Sequence, residues 1–188
     1  MRLAVILMLL PLPVFAQDWI DYGLLMRENA DRVETMTDAN GMTVQSLNLG
    51  DGVLVQCSDG NCYGTDAGGA LGCTFAIMAD MTALNATCPG NLDAGEEARL
   101  KAAFDRMGRF IEENAVPPRP AGYAQGLLEK AMADQAGEDE AARQKTCERL
   151  KPGGDLAEML GYLSGEDFPG EMNRVLATPR LPVMNPCL

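Results

Sequence analysis

The residues with the strongest chemical character are six cysteines: Cys57, Cys62, Cys73, Cys88, Cys147 and Cys187. The closest two, Cys57 and Cys62, are separated by four residues, so no C-x-x-C redox motif is present. An even cysteine count in a chain with an export leader reads as three disulfides rather than as metal ligands. Six cysteines allow 15 pairings. Proximity along the chain favours Cys57–Cys62, Cys73–Cys88 and Cys147–Cys187, the last pinning the tail within the chain rather than linking two copies.

There is no histidine, which removes Ser-His-Asp and Cys-His catalysis, the commonest zinc ligand and the usual haem ligand. The lysines, Lys101, Lys130, Lys145 and Lys151, complete no S-x-x-K arrangement. Carboxylate chemistry is left, in which one acid protonates a glycosidic oxygen while a second attacks or activates water. Glu112, Glu113, Glu129, Glu166 and Asp167 are the candidates. Acids on exposed helix faces and caps need no catalytic role, so this remains the alternative reading.

The other motifs have structural explanations. Gly64–Gly72 is glycine-rich but lacks Gly-Lys-Ser/Thr and the G-x-G-x-x-G spacing, and reads as a turn or loop. Asp38-Ala39-Asn40-Gly41 and Asp59-Gly60-Asn61 each hold a fragment of a calcium loop without its full ligand ladder. Met78 and Met81 are close enough to suggest soft-metal binding, but these residues, with Met107, Met132 and Met159, are read as core filling. Neither a metal nor a cofactor is expected. Asn85-Ala86-Thr87 is a glycosylation sequon beside Cys88.

The elements that must hold these residues follow from hydrophobic pattern. Arg2, the apolar run Leu3–Phe15 and a small residue at Ala16 match a signal peptide, so residues 1–16 are expected to be removed. The run is shorter than the ~20 apolar residues of a membrane span and contains Pro11 and Pro13. The mature chain, 17–188, carries 14 Lys and Arg against 27 Asp and Glu, a formal charge of −13. Such a surface disfavours nucleic acid and anionic lipid, and no membrane insertion of the mature chain is expected.

Composition divides the mature chain near Asp93 into a β-rich, disulfide-containing part, 17–92, and a helical part, 93–188, expected to form one compact α+β unit with the first. In the first part, Asp18–Asn29 forms a short helix carrying Trp19, Tyr22 and Met26, with Trp19 as a core anchor. Val33–Thr37 and Met42–Leu47 make a hairpin around Asn40-Gly41. Val53–Cys57 and Cys62–Gly64 make a second one around a four-residue loop, 58–61, stapled by its cysteines. Gly72–Met78 reads as a buried strand, with Ala79–Leu84 able to extend a helix.

In the second part, Asp93 and Glu96 form an acidic capping box before the stripe Leu100, Phe104, Met107 and Ile111. Helices follow over Gly122–Ala136 and Glu138–Leu150. Asp155 and Glu158 repeat the acidic cap before a helix burying Leu156, Met159, Leu160 and Leu163. A short helix over Pro169–Ala177 precedes an extended tail with Pro179, Pro182 and Pro186.

The sequence therefore favours an antiparallel, disulfide-stapled β portion packed on a helical portion. Function is expected to be that of an exported, periplasmic or secreted binding or inhibitor-type protein, meeting a basic protein partner through an acidic surface, rather than that of an enzyme. The alternatives are a carboxylate-dependent, glycoside-type hydrolase of the cell envelope and a structural envelope component. N-terminal mass analysis of the exported protein is expected to begin at Gln17; a retained Met1 would count against export through this leader.

Overall fold

The computed structural model describes residues 19–187, so the leader expected over residues 1–16 and its expected cleavage point lie outside the described residues. The architecture is α+β: a four-stranded antiparallel sheet followed by a helical region. Helix α1 (Tyr22–Glu28) precedes strands β1 (Glu34–Thr37), β2 (Thr43–Gly50), β3 (Val53–Ser58) and β4 (Asn61–Asp66), which pair in the order β1-β2-β3-β4. Helices α2 (Leu71–Thr87), α3 (Ala94–Asn114), α4 (Tyr123–Ala136), α5 (Glu140–Leu150), α6 (Asp155–Ser164) and α7 (Phe168–Val175) complete the described fold.

Turn chemistry sets the sheet register. Asp38 Oδ1 accepts from the amides of Asn40 (2.8 Å) and Met42 (2.9 Å), closing the β1–β2 turn, and Gly41 supplies its positive φ of 80°. The β3–β4 loop is two residues, not four: Ser58 pairs with Asn61 across Asp59 (φ 51°) and Gly60 (φ 79°), the signs a type I′ turn requires. Cys57 lies directly opposite Cys62, with Cα atoms 4.1 Å apart, and the two are disulfide-bonded.

One sheet face buries Leu47, Val53 and Val55 in the core. Trp19 is also buried, as the sequence suggests, but it precedes α1, which starts at Tyr22 after the cap Asp21. Its ring meets Phe75 edge-on at 5.8 Å, and Phe75 stacks on Phe104 at 5.5 Å, so one aromatic column joins the N-terminal segment to α2 and α3.

Residues 71–87 are a helix throughout, which corrects the strand expected over Gly72–Met78. The buried side chains Leu71, Cys73, Phe75, Met78, Met81 and Ala83 surround the axis of α2, leaving no polar stripe for a sequence pattern to register. After the sheet, the run of helices thus starts with α2 at Leu71. In α6 the buried stripe is Leu156, Leu160 and Leu163; Met159 is 40% exposed, on the flank of that stripe, instead of buried. Asp155 is not its cap either. Gly154 occupies that position without a side-chain bond, and Asp155 accepts from Arg149 Nε at 2.9 Å, tying α5 to α6. The capping box at Asp93 and Glu96 is present in both halves.

Two expected disulfides are corrected. Cys73 bonds to Cys187 and Cys88 to Cys147, in place of Cys73–Cys88 and Cys147–Cys187. Cys73 is in the first turn of α2 and Cys88 caps its far end. At 1.5 Å rise per residue they are roughly 22 Å apart, far beyond the ~7 Å Cα limit of a disulfide. Each therefore reaches a different part of the chain: Cys88 clamps α2 to α5, and Cys73 holds the tail.

That tail follows α7 without helix or ladder, yet Leu181 and Val183 are buried. Trp19 Nε1 donates to the Pro182 carbonyl (2.8 Å), Gly72 N to the Val183 carbonyl (2.9 Å) and Asp66 N to the Asn185 carbonyl (3.0 Å). Arg180 Nε sits 3.2 Å from the buried Asp66 carboxylate, outside hydrogen-bond alignment, so the two interact as charges. Cys187→Ser is expected to lower stability by about 2 to 4 kcal/mol and to expose Cys73, not Cys147, to alkylation. Mass mapping of labelled, non-reduced peptides checks both the direction and the partner.

Candidate functional site

The carboxylates chosen from sequence do not converge on one cleft. Glu112 is buried on α3, where its Oε1 accepts from Ala124 N (3.0 Å) in the first turn of α4, whose own N-cap, Gly122, has no side chain. It is a cap supplied by another helix, matched to the positive end of the α4 dipole. Glu113 is exposed on α3, Glu129 on α4, and Glu166 with Asp167 on the connection into α7. The methionines Met78, Met81 and Met107 are core residues, and Met132 packs against the core. Among the described residues, no group of three or more His, Cys, Asp or Glu side chains is arranged to hold a metal ion.

The remaining motifs are absorbed by the fold. Asp38 makes an Asx turn, and the donated Met42 and Asn40 amides hold its carboxyl below the usual range. Gly64 and Gly72, at the ends of the glycine-rich stretch, let the tail approach. A Cβ on Gly64 would lie 2.4 Å from Val183 Cγ1, and one on Gly72 would lie 2.5 Å from the Pro182 carbonyl oxygen. The sequon Asn85-Ala86-Thr87 ends α2, with Thr87 Oγ1 bonded to Gln135 on α4 (3.1 Å).

An open cleft of about 370 Å³ lies between α2, α3 and α4, with Leu100, Phe104 and Leu128 as apolar lining and Thr82, Asn85 and Gln125 as polar lining. Glu97 and Asp105 also line it, and Asp105 is paired with Lys101 at 2.7 Å. None of the five carboxylates chosen from sequence lines this cleft.

The more distinctive feature is the distribution of charge. Between Arg32 and Arg99 the chain has no Lys or Arg, while Glu34, Asp38, Asp51, Asp59, Asp66, Asp80, Asp93, Glu96 and Glu97 all fall in that interval. From Arg99 to Leu188, by contrast, twelve cations face fourteen acids. The negative charge is therefore concentrated on the sheet, α2 and the start of α3, and the later helices are close to neutral.

Glu34 on β1 is exposed, as are Asp51 in the β2–β3 turn and Asp59 in the β3–β4 turn at the opposite end of the sheet, whereas Asp66 on β4 is buried against Arg180. Strand register places Glu34, Met36, Val44, Ser46, Gln56 and Tyr63 on the face opposite Leu47 and Val55. Met36 (50% exposed), Met42 (43%) and Tyr63 (47%) give this acidic surface apolar contact area. Tyr63 is steadied by donating to Gln56 Oε1 (2.9 Å). Exposed apolar groups framed by like charges are the composition of a recognition patch. The net charge hinted at this surface, but its placement could be found only by noting where cations are missing.

Sequence reasoning also passed over Asp80. It lies half-buried on α2 between Ala79 and Met81, with no hydrogen bond or ion pair to a described residue, and burial pushes its carboxyl up to about 6. An acid inside the apolar run Ala76–Met81 was the available signal. A raised folded-state pKa means the folded chain takes up the proton first. The burial penalty is thus relieved as pH falls from about 6 to about 4 and acts fully above about 6. Asp80→Asn is expected to gain roughly 1 to 3 kcal/mol in urea unfolding at pH 7.5 and almost nothing at pH 4. An equal gain at both pH values would count against a charge effect.

No protein-family model, curated protein or solved structure matches this chain.

Proposed function

We propose that this is an exported binding protein that recognises a basic protein partner through its acidic sheet. The observation that carries the reading is the 66-residue interval, 33–98, without a single Lys or Arg, which includes all four strands. A field of one sign attracts a cationic partner, speeds encounter and discriminates against acidic proteins. Exposed Met36, Met42 and Tyr63 supply the short-range contact that charge alone lacks.

Export is part of the proposal. Three disulfides join all six cysteines, and the leader-like sequence over residues 1–16 suits delivery to an oxidising compartment. Among the described residues, no helix is long and apolar enough to cross a membrane. Inhibition of a cationic hydrolase is one form such binding takes.

The test uses the mature oxidised protein as bait in an envelope extract. The expected result is stoichiometric recovery of a basic protein, identified by mass, that is released as salt shortens the screening length below ~8 Å. Glu34→Gln, Asp51→Asn and Asp59→Asn combined should preserve the fold and reduce capture at least about tenfold, the equivalent of ~1.4 kcal/mol. Equal capture by this variant, recovery of an acidic protein, or no stoichiometric partner would overturn the reading.

A further inference from the structure

The two edges of the sheet are treated differently. At the β4 edge, Gly64 N donates to Tyr22 Oη (3.1 Å), Asp66 N donates to the Asn185 carbonyl (3.0 Å), and Thr65 bridges Asn185 in parallel. α1 and the tail thus cover that edge. Among the described residues, β1, at the other end of the order, pairs only with β2, and all four of its residues are exposed.

β1 is short and carries one charge, Glu34, but it lacks other guards of an open edge. Glu34-Thr35-Met36-Thr37 has no Pro and no Lys, and the sheet's register irregularity lies away from it, between Asn48 and Gly50. Asp38 N donates to the Met42 carbonyl, which fixes the hydrogen-bonding phase of the hairpin. Antiparallel pairs alternate, so Glu34 and Met36 bond to β2 while the backbone groups of Thr35 and Thr37 point outward. Glu34 and Met36 lie on the outer face, and Asp38, whose Oδ1 closes the turn, continues the row at its end as acid, apolar and acid.

Resting on the reading of a basic partner, we propose that the partner contributes an extended segment that adds to β1 as a fifth strand. Its backbone bonds to Thr35 and Thr37. Residues in a neighbouring strand lie about 5 Å across from their counterparts, so the fitting segment has the pattern basic-x-apolar-x-basic. The basic residues meet Glu34 and Asp38, and the apolar one meets Met36. The other occupant of an open edge, a second copy of this chain, would bring Glu34 and Asp38 against the same acids. Charge therefore favours the foreign strand. Arg32, the nearest cation in sequence, is tied to the Asn48 carbonyl (2.6 Å), outside the acid-apolar-acid row.

The experiment uses the full mature protein, isotopically labelled, and an acetylated, amidated peptide Thr-Lys-Thr-Val-Thr-Lys-Thr, with a Glu-for-Lys peptide as control. Binding of the Lys peptide is expected to slow amide exchange at Thr35 and Thr37 at least about tenfold, with little change at Glu34 and Met36, whose amides already face β2. Thr35→Pro removes an outward donor without touching the β1–β2 ladder and should weaken binding at least about tenfold. Glu34→Gln should weaken it severalfold and flatten its salt dependence. Since the exchange measurement is made on the unsubstituted protein, it stands even if Thr35→Pro disturbs the hairpin.

Salt-dependent binding of the Lys peptide without protection at Thr35 and Thr37 would overturn strand addition while leaving the basic-partner reading intact. Equal binding of the Glu peptide, or no binding of the Lys peptide together with no basic partner captured from the extract, would overturn both. No binding of the Lys peptide while a basic partner is captured would overturn the strand proposal alone. Protection at Thr35 and Thr37 without peptide, accompanied by a dimer in sedimentation, would assign the edge to self-pairing and also overturn it.

Discussion

The fold depends on a backbone contact at Gly72. Helix α2 starts after Ala70, which has no side chain to accept from the free amides of a first turn, and the Val183 carbonyl from the tail takes the Gly72 amide. The adjacent Pro182 carbonyl takes the indole N–H of Trp19. A Cβ on Gly72 would sit 2.5 Å from the Pro182 oxygen, 2.8 Å from the Val183 oxygen and 3.0 Å from the Trp19 ring, so only glycine admits all three. Most of the atoms in the way are backbone and cannot rotate aside. A buried indole or amide without its acceptor costs about 1 to 3 kcal/mol, so the order of α2, Trp19 and the tail is coupled.

The same device recurs between α3 and α4. Gly122 cannot cap α4, and Glu112 reaches across from α3 to do so, while Gly108 lets α4 approach until its missing Cβ would lie 2.7 Å from that of Ala124. Long-range caps of this kind explain why some elements were readable in the sequence and others were not. Asp93 with Glu96, Asn40-Gly41 and Asp59-Gly60 carry their own local signals, and the structure has a capping box or a tight turn at each. The start of α2 has no such signal, and its apolar residues occur on every side, so its first half looked like a strand. The cysteine pairing, read from proximity along the chain, failed at Cys73 and Cys88 for a related reason, since such proximity is proximity in space only where the chain turns back, and α2 holds those two apart.

The candidate surface was legible in a different measure. Net charge announced an acidic protein, but the candidate carboxylates were sought in the helices, where Glu112 serves packing and the others are dispersed. Absence of cations over 33–98 is a pattern of what is missing, and no catalytic or metal motif encodes it. Four strands at ~4.8 Å spacing span roughly 15 Å, about two screening lengths at physiological salt, so the exposed carboxylates are largely screened from one another there and reinforce one another only as salt is lowered.

Stability and recognition are consequently divided within the molecule. The aromatic column and the two long-range disulfides tie the helices and the tail together without using β1 or β2, and of the residues in those two strands only Leu47 is fully withdrawn from solvent. The first hairpin is instead shaped by its ladder and by the Asp38 turn, which consume backbone groups and one carboxylate but leave Glu34, Met36, Met42 and Val44 outside the core. Side chains that do not support the core can be selected for contact, because changing them removes little buried area. Covering the β4 edge with α1 and the disulfide-held tail then leaves β1 as the side from which the sheet can grow, and that open edge belongs to the stretch of sequence, 33–98, that holds no Lys or Arg.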